Sequence, residues 1–362
     1  MTRCLTNDIN SIGTMTPPMI DSIDRITNMC QRNLSEKVSL EMQYAAQRIL
    51  EDELRIISRN SFAEDYESMS EIVEKLSKSG SPMLVISGLQ NSLVAYLLGI
   101  TKINPIKFNL NPFILYGAKC DREPYLAFYT SSGARESMKK DLYDYYAKVD
   151  GEADAWIDLS AFVLTSKLAD DAGKFILPEI HSFSDNDIDE NSIVSDENFW
   201  EFAIPYIAEF SSERLSKKDI RDIFELIKPS CFEHFIEAVG LTYNTFDPSV
   251  YYKIMAGEMY GSQIPYCRDN IYDYLVQSGI NNNVAYDVMV KVRKGVFKKV
   301  SQTADSRFAS WVSCTKTLMF ERGIPQWYME ALEVISYLPC KGTLINISLY
   351  LIALYKHMHR IA

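Results

Sequence analysis

Ser92-Leu93-Val94-Ala95-Tyr96-Leu97-Leu98-Gly99-Ile100-Thr101, followed by Asn104-Pro105-Ile106-Lys107-Phe108-Asn109-Leu110, is the stretch on which the reading of this chain turns. After Ser92 the side chains are apolar on every face up to Gly99, the pattern of a short buried helix closed by a glycine cap. Just before it, Met83-Leu84-Val85-Ile86-Ser87 is a continuous apolar run that predicts a buried strand, and 88–91 predicts a polar turn. Working outward, apolar residues recur at helical spacing over 39–58 and 64–78, the second ending at Gly80. Residues 1–35 read as a loosely structured arm. Strands are expected at 124–129 and 155–164, with a charged helix over 134–148 between them.

The stretch 185–198 is acidic and poor in apolar residues, which marks a linker or surface loop. Beyond it the pattern is almost wholly helical, at 198–211, 216–228, 231–239, 269–278, 283–294, 306–321, 325–336 and 343–357. The expected organisation is an arm (1–35), an α+β domain (36–195) and a mostly helical domain (196–362). No internal repeat or low-complexity tract is visible.

Composition narrows the function classes. At 362 residues and 47% apolar the chain can bury a large core, and its net charge of −11 argues against a general nucleic-acid binder. The seven cysteines form no C-x-x-C pair, the usage expected of reduced thiols in a cytoplasmic protein. The N-terminal residues are polar, with Pro17 and Pro18 where a signal peptide needs its apolar run. The longest apolar stretch, 342–355, is too short for a membrane span and carries Asn346 and Ser348, so no membrane association is expected.

As a string, 92–110 resembles the C-family replicative DNA polymerases of bacteria, where S-L-V-A-Y-x-L-G-I-T precedes N/D-P-(I/L)-K-(Y/F). Arg48 to Ser58 and Phe62-Ala63-Glu64-Asp65-Tyr66 resemble the same family's R-L-x-x-E-L-x-x-I and G-F-x-D-Y-F. The second half turns the resemblance toward the PolC-type DNA polymerase III alpha subunit. Lys228-Pro229-Ser230-Cys231-Phe232-Glu233 with Gly240-Leu241-Thr242 resembles K-P-x-x-F-x-E and G-L-S, and Cys267-Arg268-Asp269-Asn270-Ile271 with Tyr274-Leu275 resembles C-R-D-D-I-M-x-Y-L. Ala285 to Met289 with Val292-Arg293-Lys294-Gly295, and Ile324-Pro325-Gln326-Trp327-Tyr328, continue it in order. The resemblance implies a nucleotidyltransferase-type polymerase palm with a mixed sheet, followed by a mostly helical fingers domain. The family's nuclease, phosphoesterase and clamping modules have no room here.

The departures fall on the chemistry. Two-metal phosphoryl transfer needs carboxylates around Mg²⁺. The family supplies two on one face of a strand in P-D-(I/F)-D-(I/L). At the corresponding places stand Tyr125 and Ala127, and the third family aspartate corresponds to Asp158 in Ile157-Asp158-Leu159. The family's R-G-S-x-G-S-S loop offers N–H groups to a triphosphate; in Ile86 to Ser92 the arginine and one glycine are gone, a lone Gly88 stands beside the strand, and only Ser92 holds its place. The family's F-P-K-A-H-A-A-A-Y becomes Leu338-Pro339-Cys340-Lys341-Gly342-Thr343-Leu344-Ile345-Asn346, so Cys340, Gly342 and Asn346 replace its lysine, histidine and tyrosine.

Other candidates are fewer. Lys291, Arg293, Lys294, Lys298 and Lys299, with Phe297 among them, form a basic run that reads either as a nucleic-acid contact or as a solvated helix face. His357 and His359 point apart on a helix and do not suggest a metal. The spaced Asp185, Asp187, Asp189 and Asp196 lack the glycine and final glutamate of a calcium loop.

The expectation is a catalytically inactive PolC-like pseudopolymerase acting as a binding or regulatory module in DNA replication, of the host or of a mobile element. It has no cofactor, binds a protein partner such as a replication protein, and binds DNA weakly. Two alternatives stand beside it. One is residual Mg²⁺-dependent nucleotidyl transfer through Asp158 with Asp121, Glu123 or Asp154. The other is a DNA- or nucleotide-binding remnant that uses only the fingers.

Overall fold

In a computed structural model of the chain, the residues described are 17–78, 83–117, 124–131, 140, 165–168, 190–210, 215–243, 264–303 and 306–359. Three helices come first: α1 (Pro17–Lys37), α2 (Leu40–Arg59) and α3 (Ala63–Lys78). Strand β1 (Met83–Val85) leads through one 3₁₀ turn (Gly88–Asn91) into α4 (Leu93–Leu97), and α5 (Phe113–Tyr116) follows. Strands β2 (Phe128–Ser131) and β3 (Thr165–Leu168) complete a sheet of order β1-β2-β3. β1 pairs antiparallel with β2, placing Leu84 opposite Tyr129, and β2 pairs parallel with β3.

The described elements of the second half are all helices. The first four helices are α6 (Glu190–Val194), α7 (Glu197–Phe210), α8 (Lys217–Ile227) and α9 (Phe232–Tyr243). After them come α10 (Arg268–Gln277), α11 (Asn282–Arg293), α12 (Val296–Thr303) and α13 (Ser306–Glu321). The last two are α14 (Gln326–Val334) and α15 (Lys341–His359). The chain is therefore mostly helical, and the mixed sheet expected of a palm is met among the described residues only by three short strands.

Three buried cores organise these elements. One packs α1 to α4 with Val85, Leu89, Leu115 and Tyr116. A second gathers α6 to α9 and α15 around Leu84, Ile103, Leu110 and Tyr129, so residues on both sides of position 195 share it. The third packs α10 to α14 with Ile114. Successive strand residues point to opposite faces, so Leu84 enters the second core and Val85 the first. The short strand β1 is thus the seam between two cores. Every residue of α15 from Gly342 to Ile352 is buried, as befits a helix apolar on all sides. Among the described residues no helix is long and apolar enough to cross a membrane.

Several local expectations are corrected. Residues 17–37, read as part of a loose arm, form α1. Ile26, Cys30 and Leu34, with Val38 just beyond the helix, fall at four-residue spacing on its buried stripe, while Pro17 and Pro18 sit in the first turn, where a missing N–H costs nothing. The strand expected at 124–129 begins only at Phe128. Pro124, which cannot donate to a ladder, opens an irregular run that precedes it. The acidic stretch read as a linker contains α6, whose Ile193 and Val194 are buried. Outside the described residues lie the strand expected at 155–164, the helix expected at 134–148 apart from Lys140, and residues 185–189.

Candidate functional site

The segment from Ile86 to Ser92 meets the N-terminal turns of α15 and α10, three parts of the chain far apart in sequence. Asp269 sits at the centre. Its Oδ1 accepts from Asn91 Nδ2 at 3.1 Å and its Oδ2 from the Lys341 N–H at 2.7 Å. From α15, Thr343 Oγ1 donates to the Ile86 carbonyl at 3.1 Å and Asn346 Nδ2 to the Val85 carbonyl at 2.6 Å. Gln90 Nε2 donates to the same Val85 carbonyl at 2.6 Å. Burial pushes the Asp269 carboxyl above its ordinary range, against the pull of the Lys341 N–H and the Asn91 amide. Arg268 reaches the chain just before α15, its Nε donating to the Leu338 carbonyl at 2.7 Å.

This joint is closed. Ser87, Gln90, Asn91 and Ser92 are all buried. The N–H groups of Ile86, Leu89, Gln90, Ser92 and Val94 are each taken up within the chain, by Ala127, Ser87, Ser87, Leu89 and Glu53 respectively. A loop that holds a phosphate keeps such groups pointing outward. Gly342 passes so close that a Cβ there would lie 2.5 Å from Gln90 Cβ and 3.0 Å from Asn91 Oδ1. That approach is what its missing side chain permits.

Behind the loop, Ser92 caps α4: its Oγ accepts from the Ala95 N–H at 3.0 Å and from the Tyr66 hydroxyl at 3.3 Å. Tyr66 and Tyr116 share a hydroxyl contact of 2.6 Å. Glu53 accepts from the Val94 N–H through Oε2 at 2.9 Å, while its buried Oε1 has no partner. Burial raises the Glu53 carboxyl to about 7, opposed by the Val94 amide and Ser92. The folded protein therefore holds this proton more tightly than the unfolded chain does. The contribution is fully present below the unfolded value near 4.5 and is lost as pH rises through about 7. We expect Glu53→Gln to flatten the fall of urea stability between pH 4.5 and 7; an unchanged slope would assign it elsewhere.

The residues anticipated as catalytic remnants do not assemble a metal site among the described residues. Tyr125 is 41% exposed and Ala127 is 4% exposed, with the Ala127 carbonyl accepting from the Ile86 N–H at 2.8 Å. Asp158 lies outside the described residues, as do Asp121, Glu123 and Asp154. Neither Tyr125 nor Ala127 offers a carboxylate to a magnesium ion. Among the described residues no three His, Cys, Asp or Glu side chains come together as metal ligands.

The basic run is not one helix face. Gly295, with φ +66°, breaks it between α11 and α12. Lys291 Nζ lies 4.1 Å from the centre of the Trp311 ring, and Lys298 Nζ donates to Ser336 Oγ at 3.0 Å. Phe297 is fully buried with its ring edge-on to Trp311. Arg293 is half-buried, leaving Lys294 and Lys299 as the exposed members. Sequence reasoning missed the Asp269 joint and the Glu53 cap. The signal for the joint was Thr343 and Asn346 standing inside an apolar run, polar groups that a buried helix carries mostly where they are bonded.

Residues 24–148, which hold the Ile86–Ser92 segment and its Glu53 cap, match the family described as bacterial DNA polymerase III alpha NTPase domain. This chain carries a segment related to PolC-type DNA polymerase III. The PolC-type enzyme of Lactococcus lactis subsp. lactis (strain IL1403) is 28% identical over 113 residues, 31% of this chain and 6% of that protein. That of Streptococcus suis (strain 98HAH33) is 28% identical over 121 residues, 33% of this chain and 8% of that protein. The matched segment thus spans less than a tenth of these PolC-type relatives. The joint therefore ties part of the PolC-related segment, Asn91, to α10 and α15, which lie beyond residue 148.

Proposed function

We propose that this chain is a PolC-derived binding or regulatory module of DNA replication that does not itself synthesise DNA. In this reading 36–195 is a palm-like domain and 196–362 a fingers-like domain, working in the cytoplasm on a replication protein. The observation that carries the reading is the burial of the loop 87–92 beneath α15. Where the family's resemblance implies a triphosphate loop, the chain's own Asp269 takes the Asn91 amide and Thr343 bonds the Ile86 carbonyl. Tyr125 and Ala127 in place of carboxylates support the same reading.

The test is primer extension by the purified protein with all four deoxynucleotides and millimolar Mg²⁺ or Mn²⁺. No extended product is expected above a protein-free control, a deficit of at least about 10⁶-fold against an active enzyme. Binding to labelled primer-template in the same buffers is expected to be weak, and weaker still after Lys294→Glu with Lys299→Glu. Extension that survives repurification and disappears with Asp158→Ala would overturn the proposal in favour of residual nucleotidyl transfer.

A further inference from the structure

A cavity of about 460 Å³ opens between α10, α14 and the chain that leads into α10. Its walls include Tyr266, Asn270, Asp273, Tyr274, Gln277 and Trp327, and Tyr328 closes it. The aromatic side is built, not incidental. The Tyr274 and Tyr328 rings lie 4.3 Å apart at 33°, and Trp327 meets Tyr328 edge-on at 5.8 Å. Tyr266 is fixed from behind by donating to Glu233 Oε1 at 2.7 Å, an oxygen that also pairs with Lys341 Nζ at 2.8 Å.

Two observations decide what such a cavity takes. Among the described lining residues there is no lysine, arginine or histidine to neutralise a phosphate. Among the described lining residues the charged one is Asp273, and the hydroxyl of the buried Tyr328 is left without a hydrogen-bond partner. Aromatic faces attract cations through their negative π-clouds, most strongly where a carboxylate stands beside them and water is thinned out. The size is at the small end of ligand cavities, suited to one side chain more than to a nucleotide. The net charge of −11 gives a basic partner a long-range attraction in the same direction.

We propose that this cavity seats the guanidinium group of an arginine presented by a partner protein, with Asp273 as its counter-charge and Trp327 and Tyr274 as its walls. The site holds whether or not the chain synthesises DNA. Gln277 supplies an amide oxygen for a remaining N–H group of the fork.

The probe is agmatine, a guanidinium on a short alkyl chain, titrated into protein labelled at its tryptophan indoles. The chain has four tryptophans, and loss of one indole signal in Trp327→Phe assigns the reporter. The Trp327 signal is expected to shift saturably while those of Trp200 and Trp311 stay in place. Asp273→Asn is expected to weaken the titration at least tenfold with the other three signals unmoved. A second measurement needs no variant. Burial and the neighbouring Asp269 carboxylate push Asp273 up to about 6, against the pull of Lys341, so agmatine binding to the native chain should weaken as pH falls through that value. The proposal fails if Trp327 shows no saturable shift, or if binding is equal in Asp273→Asn and flat across pH. It fails equally if thymidine monophosphate moves the signal and agmatine does not, which would make the cavity a base pocket.

Discussion

Replacing Gly342 with valine is expected to lower the unfolding free energy by about 4 kcal/mol, read as a shift of the urea midpoint at unchanged slope. The reason is local and steric. The first added carbon would stand 2.5 Å from Gln90 Cβ and 3.1 Å from Leu110 Cδ1. Relief requires α15 to move off the loop. That movement stretches the Lys341 N–H bond to Asp269 and the Asn346 bond to the Val85 carbonyl, leaving buried polar groups unpaired. Gly99→Ala makes a useful contrast: nothing lies within 4 Å of its added carbon, and only its φ of +77° resists, an effect of about 1 kcal/mol. Equal losses in the two variants would mean that the joint is looser than its geometry implies.

Ala127→Asp is the second large effect, with an expected loss of about 3 kcal/mol at neutral pH. Ala127 is 4% exposed beside buried Leu126. A buried carboxyl is penalised in its ionised form, so the loss should shrink as pH is lowered and the group takes up a proton. Tyr125→Asp alone, at an exposed position, should stay within about 0.5 kcal/mol. The double variant recreates the family's carboxylate spacing, and no primer extension is expected from it. Product formation by that variant would show that the loss of catalysis lies in these two positions alone.

Much of the helical second half was legible in the sequence. α7 and α10 repeat apolar residues at helical spacing, and α15 shows as an apolar run too long for a strand. The glycine after the apolar run at 93–98 was read correctly as a cap, and Gly99 has the left-handed φ that this requires. α1 was obscured because only one residue in four is buried on it, with charged residues between. α12 was hidden because its lysines drew attention to charge, while the break at Gly295 and the buried Phe297 carried the structural information. Polar residues inside the apolar run of α15 hinted that something bonds there, but not what. Asn91 and Asp269 stand 178 positions apart, and no local spacing relates them. Only the resemblance placed both within family-like strings, and it did not say that they touch.

The seam at β1 has a consequence for the order of events during synthesis. Leu84 and Val85 need partners on both faces, and the carbonyl of Val85 is bonded by Asn346, 261 positions later. Closing a loop that long carries a large entropic cost before any contact rewards it, which makes such pairings late steps in folding. While the ribosome is still short of residue 346, α1 to α4 can collapse and α7 can pack on α8 and α9, but one face of β1 and the part of α7 that meets α15 stay uncovered. Nascent chains halted before α15 should therefore present a sticky surface to chaperones, and release of that surface should coincide with emergence of the last helix.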